Sequence, residues 1–159
     1  MNIRVGFGYD MHSLQEDREL WIGGVKIDYH KGLYGHSDAD VLIHAICDAL
    51  LGAANLRDIG YNFPDNANEF KDIDSKVLLG RTVNLLHQKE YTIGNIDATI
   101  CAEEPRLNPY IPQIQRALSR ILRIHVDNVS VKATTSERMG FVGRGEGITA
   151  YAVVLIQKQ

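Results

Sequence analysis

Ser37-Asp-Ala-Asp-Val-Leu-Ile-His-Ala-Ile-Cys-Asp-Ala-Leu-Leu-Gly-Ala-Ala54 is the stretch on which the fold class turns. Leu42, Ile46, Ala49 and Ala53 recur at helical intervals, and Ser37 followed by Asp40 forms a capping-box pattern, so the stretch predicts a helix over 37–54 with Ser37 as its N-cap. The sequence before it keeps a different period. Ile3, Val5, Phe7 and Tyr9 alternate as a strand does, and Leu20 to Ile27 reads as a hairpin turning at Gly23-Gly24. After it, a second helix is expected from about Asp74-Ser75, burying Val77, Leu78, Val83, Leu85 and Leu86. Tyr91 opens a strand in which Ile96, Ala98, Ile100 and Ala102 face one way and Asp97, Thr99 and Cys101 the other. A third helix, with prolines at its start, spaces Ile111, Ile114, Leu118, Ile121 and Leu122 along one face. Two strands follow, Val129 to Ala133 and roughly Gly147 to Ile156. The expected order is β-β-α-α-β-α-β-β, an α+β class.

Composition narrows the function classes. The chain has 159 residues, 45% of them apolar, with no linker-like tract or internal repeat, so one domain is expected over 1–159. A net charge of −3 and a pI near 6.0 supply no basic surface for nucleic acid or anionic membrane, which leaves a small soluble ligand as the expected partner. Cys47 and Cys101 are too few for a disulfide scaffold and point to a reducing compartment. The N-terminal residues lack a signal-like apolar region, and no run of about 18 apolar residues exists to span a bilayer. A cytoplasmic location is therefore expected.

Asp10-Met11-His12 closes the first strand, where residues two apart project from one face and can converge on a cation. Asp40, His44 and Asp48 share one stripe of the helix and offer His44 as a third ligand. Three N/O ligands leave one tetrahedral position open, as catalytic zinc requires. The same spacing equally suits the wet face of an amphipathic helix, and an Asp-x-His pair equally suits a solvated strand. His36-Ser37 stands where the helix is expected to begin, a place that favours an anion. Val129 to Ala133 delivers Thr134-Thr135-Ser136-Glu137 into a turn. Its hydroxyls and N–H groups suit phosphate and its carboxylate suits a hard cation, or the hydroxyls simply stabilise the turn. Gly140 to Gly147 fails the nucleotide-loop templates and reads as turns or bulges. Arg144 within it is either an anion-binding fork or an ordinary surface arginine. Asp58-Ile59-Gly60 and Phe63-Pro64-Asp65 place two carboxylates in a loop, suited to sugar hydroxyls or to solvent.

Taken in order and spacing, Gly8-Tyr-Asp10-Met-His12, Ile22-Gly-Gly-Val25, His36-Ser-Asp-Ala-Asp-Val41, Asp58-Ile-Gly60, Phe63-Pro-Asp65, Val131-Lys-Ala-Thr-Thr-Ser-Glu137 and Gly143-Arg-Gly-Glu-Gly147 resemble the methylerythritol cyclodiphosphate synthase family over essentially the whole chain. The resemblance implies a ferredoxin-like or chorismate-mutase-like mixed sheet covered by helices, with an N-terminal β-hairpin, in a homotrimer whose active sites lie between subunits. It implies Zn2+ on Asp10, His12 and His44, and a second cation, Mg2+ or Mn2+, on Glu137. His36 and Thr135 would steady the transferring phosphate. Asp58, Gly60, Phe63 and Asp65 would meet ribose and erythritol, and Ser37 and Ile59 would also contact the substrate. Ala102, Pro105, Arg106, Leu107 and Asn108 would form the cytosine pocket, with Ala133, Thr134 and Ser136 nearby. Phe141, Arg144 and Glu146 would line a central cavity able to hold an isoprenoid diphosphate.

The implied reaction cyclises a cytidine diphosphate-linked sugar alcohol phosphate and releases CMP, within the non-mevalonate isoprenoid pathway. Three positions depart from the family pattern. Ala67 replaces a common acidic residue, Ser136 a common threonine, and Arg106 a frequent lysine. A zinc phosphohydrolase using the same three ligands, and a non-catalytic isoprenoid diphosphate binder, are the rival expectations.

Overall fold

The computed structural model describes residues 2–159. Its elements in chain order are β1 (Ile3–Glu16), β2 (Leu20–Ile22), β3 (Val25–Ile27), β4 (Lys31–Leu33), α1 (Val41–Ala53), α2 (Ile59–Asn62), α3 (Ser75–Gln88), β5 (Tyr91–Cys101), α4 (Ile111–Leu122), β6 (Val129–Thr134), α5 (Gly140–Gly143) and β7 (Gly147–Lys158). β2 and β3 form the expected hairpin. Gly23 and Gly24 both take positive φ, 61° and 76°, as a two-residue turn requires.

The other five strands make one mixed sheet in the order β4-β1-β7-β5-β6. β5 and β6 pair parallel and every other pair is antiparallel. β7, the last strand in sequence, thus lies between β1 and β5. The long elements succeed one another as β-α-α-β-α-β-β, which departs from the β-α-β-β-α-β of a ferredoxin-like domain.

One face of the sheet is covered. Ile96, Ala98 and Ile100 of β5 and Ile148, Ala150, Ala152, Val154 and Ile156 of β7 are buried, while their alternate neighbours Asp97, Tyr151 and Val153 are exposed. α1 packs on β1 and β7, α4 packs on β6, and α3 lies against both helices. Burial of Leu42, Ile46 and Leu50 on α1, Leu79, Val83 and Leu86 on α3, and Ile114, Leu118 and Leu122 on α4 joins these layers into one apolar cluster. Each such side chain contributes about 1.5–3 kcal/mol on leaving water. Cys47 belongs to this core, and burial pushes its thiol up to about 12.

Glycine sets the depth of α1 on β1. A Cβ on Gly6 would stand 1.9 Å from the Ala49 carbonyl oxygen, and one on Gly8 would stand 1.9 Å from that of Ala45. The helix backbone therefore rests directly on the strand.

Several expectations change. α1 begins at Val41, so Asp40 rather than Ser37 is the N-cap, accepting from the Ile43 N–H at 3.1 Å. Asp40 is also not on a wet face. It is fully buried, and its second task is to accept the N–H groups of Gly23 at 2.9 Å and Gly24 at 2.7 Å, which ties the hairpin to the helix start. Burial, with the Asp38 charge behind it, raises its carboxyl to about 6 against those backbone donors. His36 and Ser37 consequently precede the helix by a short loop instead of standing at its N-terminus. β1 runs on to Glu16, which puts Asp10 and His12 in mid-strand. Val77 is exposed because the buried face of α3 falls on Leu78, Leu79, Thr82, Val83 and Leu86. Gly140 to Gly143 forms one helical turn, not a bulge. The apolar alternation of Ile3, Val5, Phe7 and Tyr9 lies on the open side of the sheet: with Met11, Tyr151 and Val153 these side chains are 41–66% exposed.

Candidate metal centre and its neighbouring cleft

Asp10 and His12, two apart on β1, point toward the helices, and His44 descends from α1 to meet them. The close seating on Gly6 and Gly8 brings it within reach. Asp10 Oδ2 lies 2.9 Å from His12 Nε2 and 3.1 Å from His44 Nδ1, and the two ring nitrogens are 3.2 Å apart. Among the described residues this is the one cluster of His, Cys, Asp and Glu able to hold an ion, with its ligand atoms all within 4.8 Å of one another. The other nitrogen of His12, Nδ1, lies 2.9 Å from the Tyr34 carbonyl and must donate to it, which turns Nε2 to the cluster as the nitrogen that binds either a cation or a proton. A carboxylate and imidazole lone pairs converging on one point fit a divalent cation, with room for a further ligand. In the absence of a cation, protons hold the cluster together. Burial works against a charged Asp10, yet hydrogen bonds and charges from His12 and His44 hold its carboxyl at about 2. For His44, burial disfavours the imidazolium, but the hydrogen bond and charge of Asp10 and the charges of Asp40 and Asp38 leave its pKa above the usual value.

A cavity of about 200 Å³ opens beside the cluster. It is lined by Asp10, His12 and His44 together with His36, Ser37, Ile59, Gly60, Phe63 and Asp65, which sequence had placed in one site. Asp58 is not among them. It is exposed and caps α2, accepting from the Tyr61 N–H at 2.8 Å. Asp48, Phe70, Ile73 and Leu78 line the cavity as well and were not expected there. Asp48 accepts from the Ile59 N–H at 2.8 Å, fastening the α2 loop to α1, and burial raises its carboxyl above the usual range. Phe63 and Phe70 meet edge to face, their ring centroids 5.6 Å apart, and pack with Leu78 in a second small apolar cluster that gives the cavity its wall. Ala67 packs against that cluster.

The second group of candidate residues gathers elsewhere. Ala102, Pro105, Arg106, Leu107, Asn108, Ala133, Thr134 and Thr135 line a separate cavity of about 590 Å³ at the ends of β5 and β6, joined by Tyr29, Glu103 and Glu104. Register relates the two cavities. Asp10 pairs with Ala150, Ala150 with Ile100, and Ile100 with Ala133, so both sites lie at one level of the sheet, three strand spacings or roughly 14 Å apart. Within one chain, then, Thr135 and Glu137 are not brought to the metal cluster. Beyond β6 the chain turns through Glu137 and Arg138, both at positive φ. Thr135 Oγ1 accepts from the Glu137 N–H at 3.3 Å and Ser136 Oγ donates to the Met139 carbonyl at 2.7 Å. Arg144 pairs with Glu146 at 3.0 Å, and Phe141 packs beside Gly147.

The sequence profile of the YgbB family matches residues 3–157. A curated 2-C-methyl-D-erythritol 2,4-cyclodiphosphate synthase from Phocaeicola vulgatus is 66% identical over 158 residues, which cover 99% of each chain. Among solved structures, an IspF from Plasmodium falciparum in complex with CDP superposes with a TM-score of 0.87 at 34% identity, covering 100% of this chain and 99% of that one. The bifunctional IspDF from Campylobacter jejuni superposes at 0.95 and 37% identity, covering 99% of this chain and 42% of that larger one. A fold, a three-residue metal cluster and a full-length match agree, and the chain belongs to the YgbB family of 2-C-methyl-D-erythritol 2,4-cyclodiphosphate synthases.

Proposed function

We propose that the chain converts 4-diphosphocytidyl-2-C-methyl-D-erythritol 2-phosphate into 2-C-methyl-D-erythritol 2,4-cyclodiphosphate and CMP, a cyclising phosphorus–oxygen lyase reaction of the non-mevalonate isoprenoid pathway. The observation that carries this reading is the convergence of Asp10, His12 and His44 beside a sugar-sized cavity, in a chain 66% identical to a curated synthase over its length.

In the reaction an oxygen of the 2-phosphate attacks the diphosphate phosphorus nearer the sugar. A new P–O bond closes the ring, and the bond to the cytidylyl phosphate breaks, its electron pair leaving with CMP. Both reacting groups belong to one molecule, so the chain's task is to fold the substrate back on itself, and orientation of this kind can lower the barrier by about 7–11 kcal/mol. Asp10, His12 and His44 would hold Zn2+, and Glu137 would hold Mg2+ or Mn2+. Cations there supply Lewis-acid polarisation and charge neutralisation to phosphoryl oxygens. His36 and Thr135 steady the transferring phosphate. Ser37, Ile59, Gly60 and Asp65 present hydrogen-bonding groups to the erythritol, and Phe63 shields it from water. The cavity at the ends of β5 and β6, with Arg106 and backbone groups from Ala102 to Asn108, takes the cytidine moiety.

A homotrimer belongs to this reading, with a chorismate-mutase-like sheet in each subunit. Two observations support it. The metal cluster and the cavity of Thr135 lie too far apart in one chain to grip one phosphate, and the open sheet face exposes Val5, Phe7, Tyr9, Met11, Tyr151 and Val153, an apolar surface that another subunit would cover. Isoprenoid diphosphate binding at Phe141 and Arg144 would have to displace Glu146 from Arg144. No helix among the described residues is long and apolar enough to cross a membrane, and the reading places the enzyme in the cytoplasm.

Phosphorus NMR of the purified chain with the cytidine diphosphate substrate, with and without chelator, tests the function. Metal-dependent appearance of CMP and a cyclic diphosphate is the expected result. Release of inorganic phosphate would instead assign a hydrolase.

A further inference from the structure

We propose that Asp38 and Ser75 act as a positioning relay that biases the tautomer of His44 toward Nε2–H, so that Nδ1 rather than Nε2 is presented to the metal. The proposal rests on the metal reading above and deepens it. Ser75 is the first residue of α3 and is fully buried. Its hydroxyl has one hydrogen, and that hydrogen goes to Asp38 Oδ1. Toward His44 Nε2, 3.0 Å away, the same oxygen can only accept. Ser75 therefore favours the form with the imidazole hydrogen on Nε2, against the competing Nδ1–H form that would donate to Asp10 Oδ2 at 3.1 Å. The favoured form leaves Nδ1 as a lone pair for a cation beside Asp10 Oδ2 and His12 Nε2.

Asp38 is itself held in place. Oδ1 also accepts from the Asp40 N–H at 3.1 Å, and Oδ2 accepts from the Ser75 N–H at 3.0 Å, so the carboxylate faces donors on both oxygens. Ser37 Oγ, 3.2 Å from Nε2, accepts from the Ala39 N–H and can either accept from Nε2–H or donate to a bare Nε2. The relay links the loop before α1, the start of α3 and the ligand itself. Outer partners of this kind typically tune metal affinity by about tenfold to a hundredfold.

The test measures zinc affinity by competition with a chromophoric chelator. It also reads the His44 tautomer by nitrogen-15 NMR in metal-free protein, at a pH above the imidazole's titration. In the parent chain the Nε2–H form that donates to Ser75 is expected in competition with the Nδ1–H form that donates to Asp10, and each variant is read as a change in their ratio. Ser75→Ala should raise the share of the Nδ1–H form and weaken zinc binding roughly tenfold or more, while Ser75→Thr, which keeps the hydroxyl, should restore both. Asp38→Asn should act in the same direction and serves where Ser75→Ala does not fold by circular dichroism. Affinity within twofold of the parent in Ser75→Ala, or weaker binding with an unchanged tautomer, would overturn the relay. A parent chain that binds no zinc would sink the metal reading, whereas zinc binding unaffected by Ser75→Ala would sink the relay alone.

Discussion

The two sides of β1 carry opposite chemistry. Toward the helices stand Gly6, Gly8, Asp10 and His12, residues that are small or polar. Toward the open side stand Val5, Phe7, Tyr9 and Met11, apolar and 41–66% exposed. An alternating strand ordinarily turns its apolar side to its own core, and here the arrangement is reversed. The covered side has no space for large side chains because the backbone of α1 occupies it, and the depth thus gained is what carries His44 to Asp10. The open side leaves its apolar groups exposed, as the proposed trimer requires.

The sharpest way to break this contrast is at the covered side's chemistry. His44→Ala should lose zinc and lower turnover by about a thousandfold or more, measured together by metal analysis and CMP release. Full turnover by the metal-depleted variant would remove the basis for the site. Next in size is the packing beneath it. Gly8→Ala must push α1 off β1 and should cost roughly 3 kcal/mol of stability, seen as a fall in Tm of several degrees, with weaker zinc binding. An unchanged Tm and affinity would mean that the helix depth is not what places the ligand. On the open side, Phe7→Asp should leave the circular dichroism of the chain intact and dissociate the proposed trimer in light scattering. A stable assembly after that change would mean the exposed face has another use.

The smallest expected effect is in pH. In metal-free protein the raised pKa of His44 means that its proton stabilises the fold below the unfolded value and that this contribution is lost as pH rises through the folded one. Zinc competes with that same proton. Affinity should therefore begin to fall on acidification at a pH above the ordinary histidine value of about 6.5, by up to about tenfold per unit for each proton displaced. A zinc affinity that stays flat until well below that value would contradict the coupling of His44 to Asp10.

Where period and chemistry coincided, sequence was enough. The hairpin at Gly23-Gly24, the start of α3 at Asp74-Ser75, the buried side of β5, and the convergence of Asp10, His12 and His44 beside one cavity follow from local pattern or from ordered motifs. What was missed depends on tertiary partners. Asp40 displaced Ser37 as the N-cap because its carboxylate also serves the hairpin amides, which no local pattern around the helix reveals. Asp58 caps α2 through Oδ1, a task that its place in a polar loop did not announce. Phe70, Ile73 and Leu78 join the cavity from a loop and from α3, where their apolar character is equally that of core residues. The spacing of Gly6 and Gly8 was the available signal for a helix lying directly on the strand, visible as a two-residue period of glycine inside an apolar alternation.

The position of β7 between β1 and β5 also bears on how the chain acquires its shape during synthesis. Until residues after Gly147 leave the ribosome, β1 with β4 and β5 with β6 are two ribbons whose facing edges have no strand between them. Each edge would be open to pairing with a neighbouring nascent chain, so closure of the sheet waits for the final strand to thread between them, and chaperone protection should matter most in that interval.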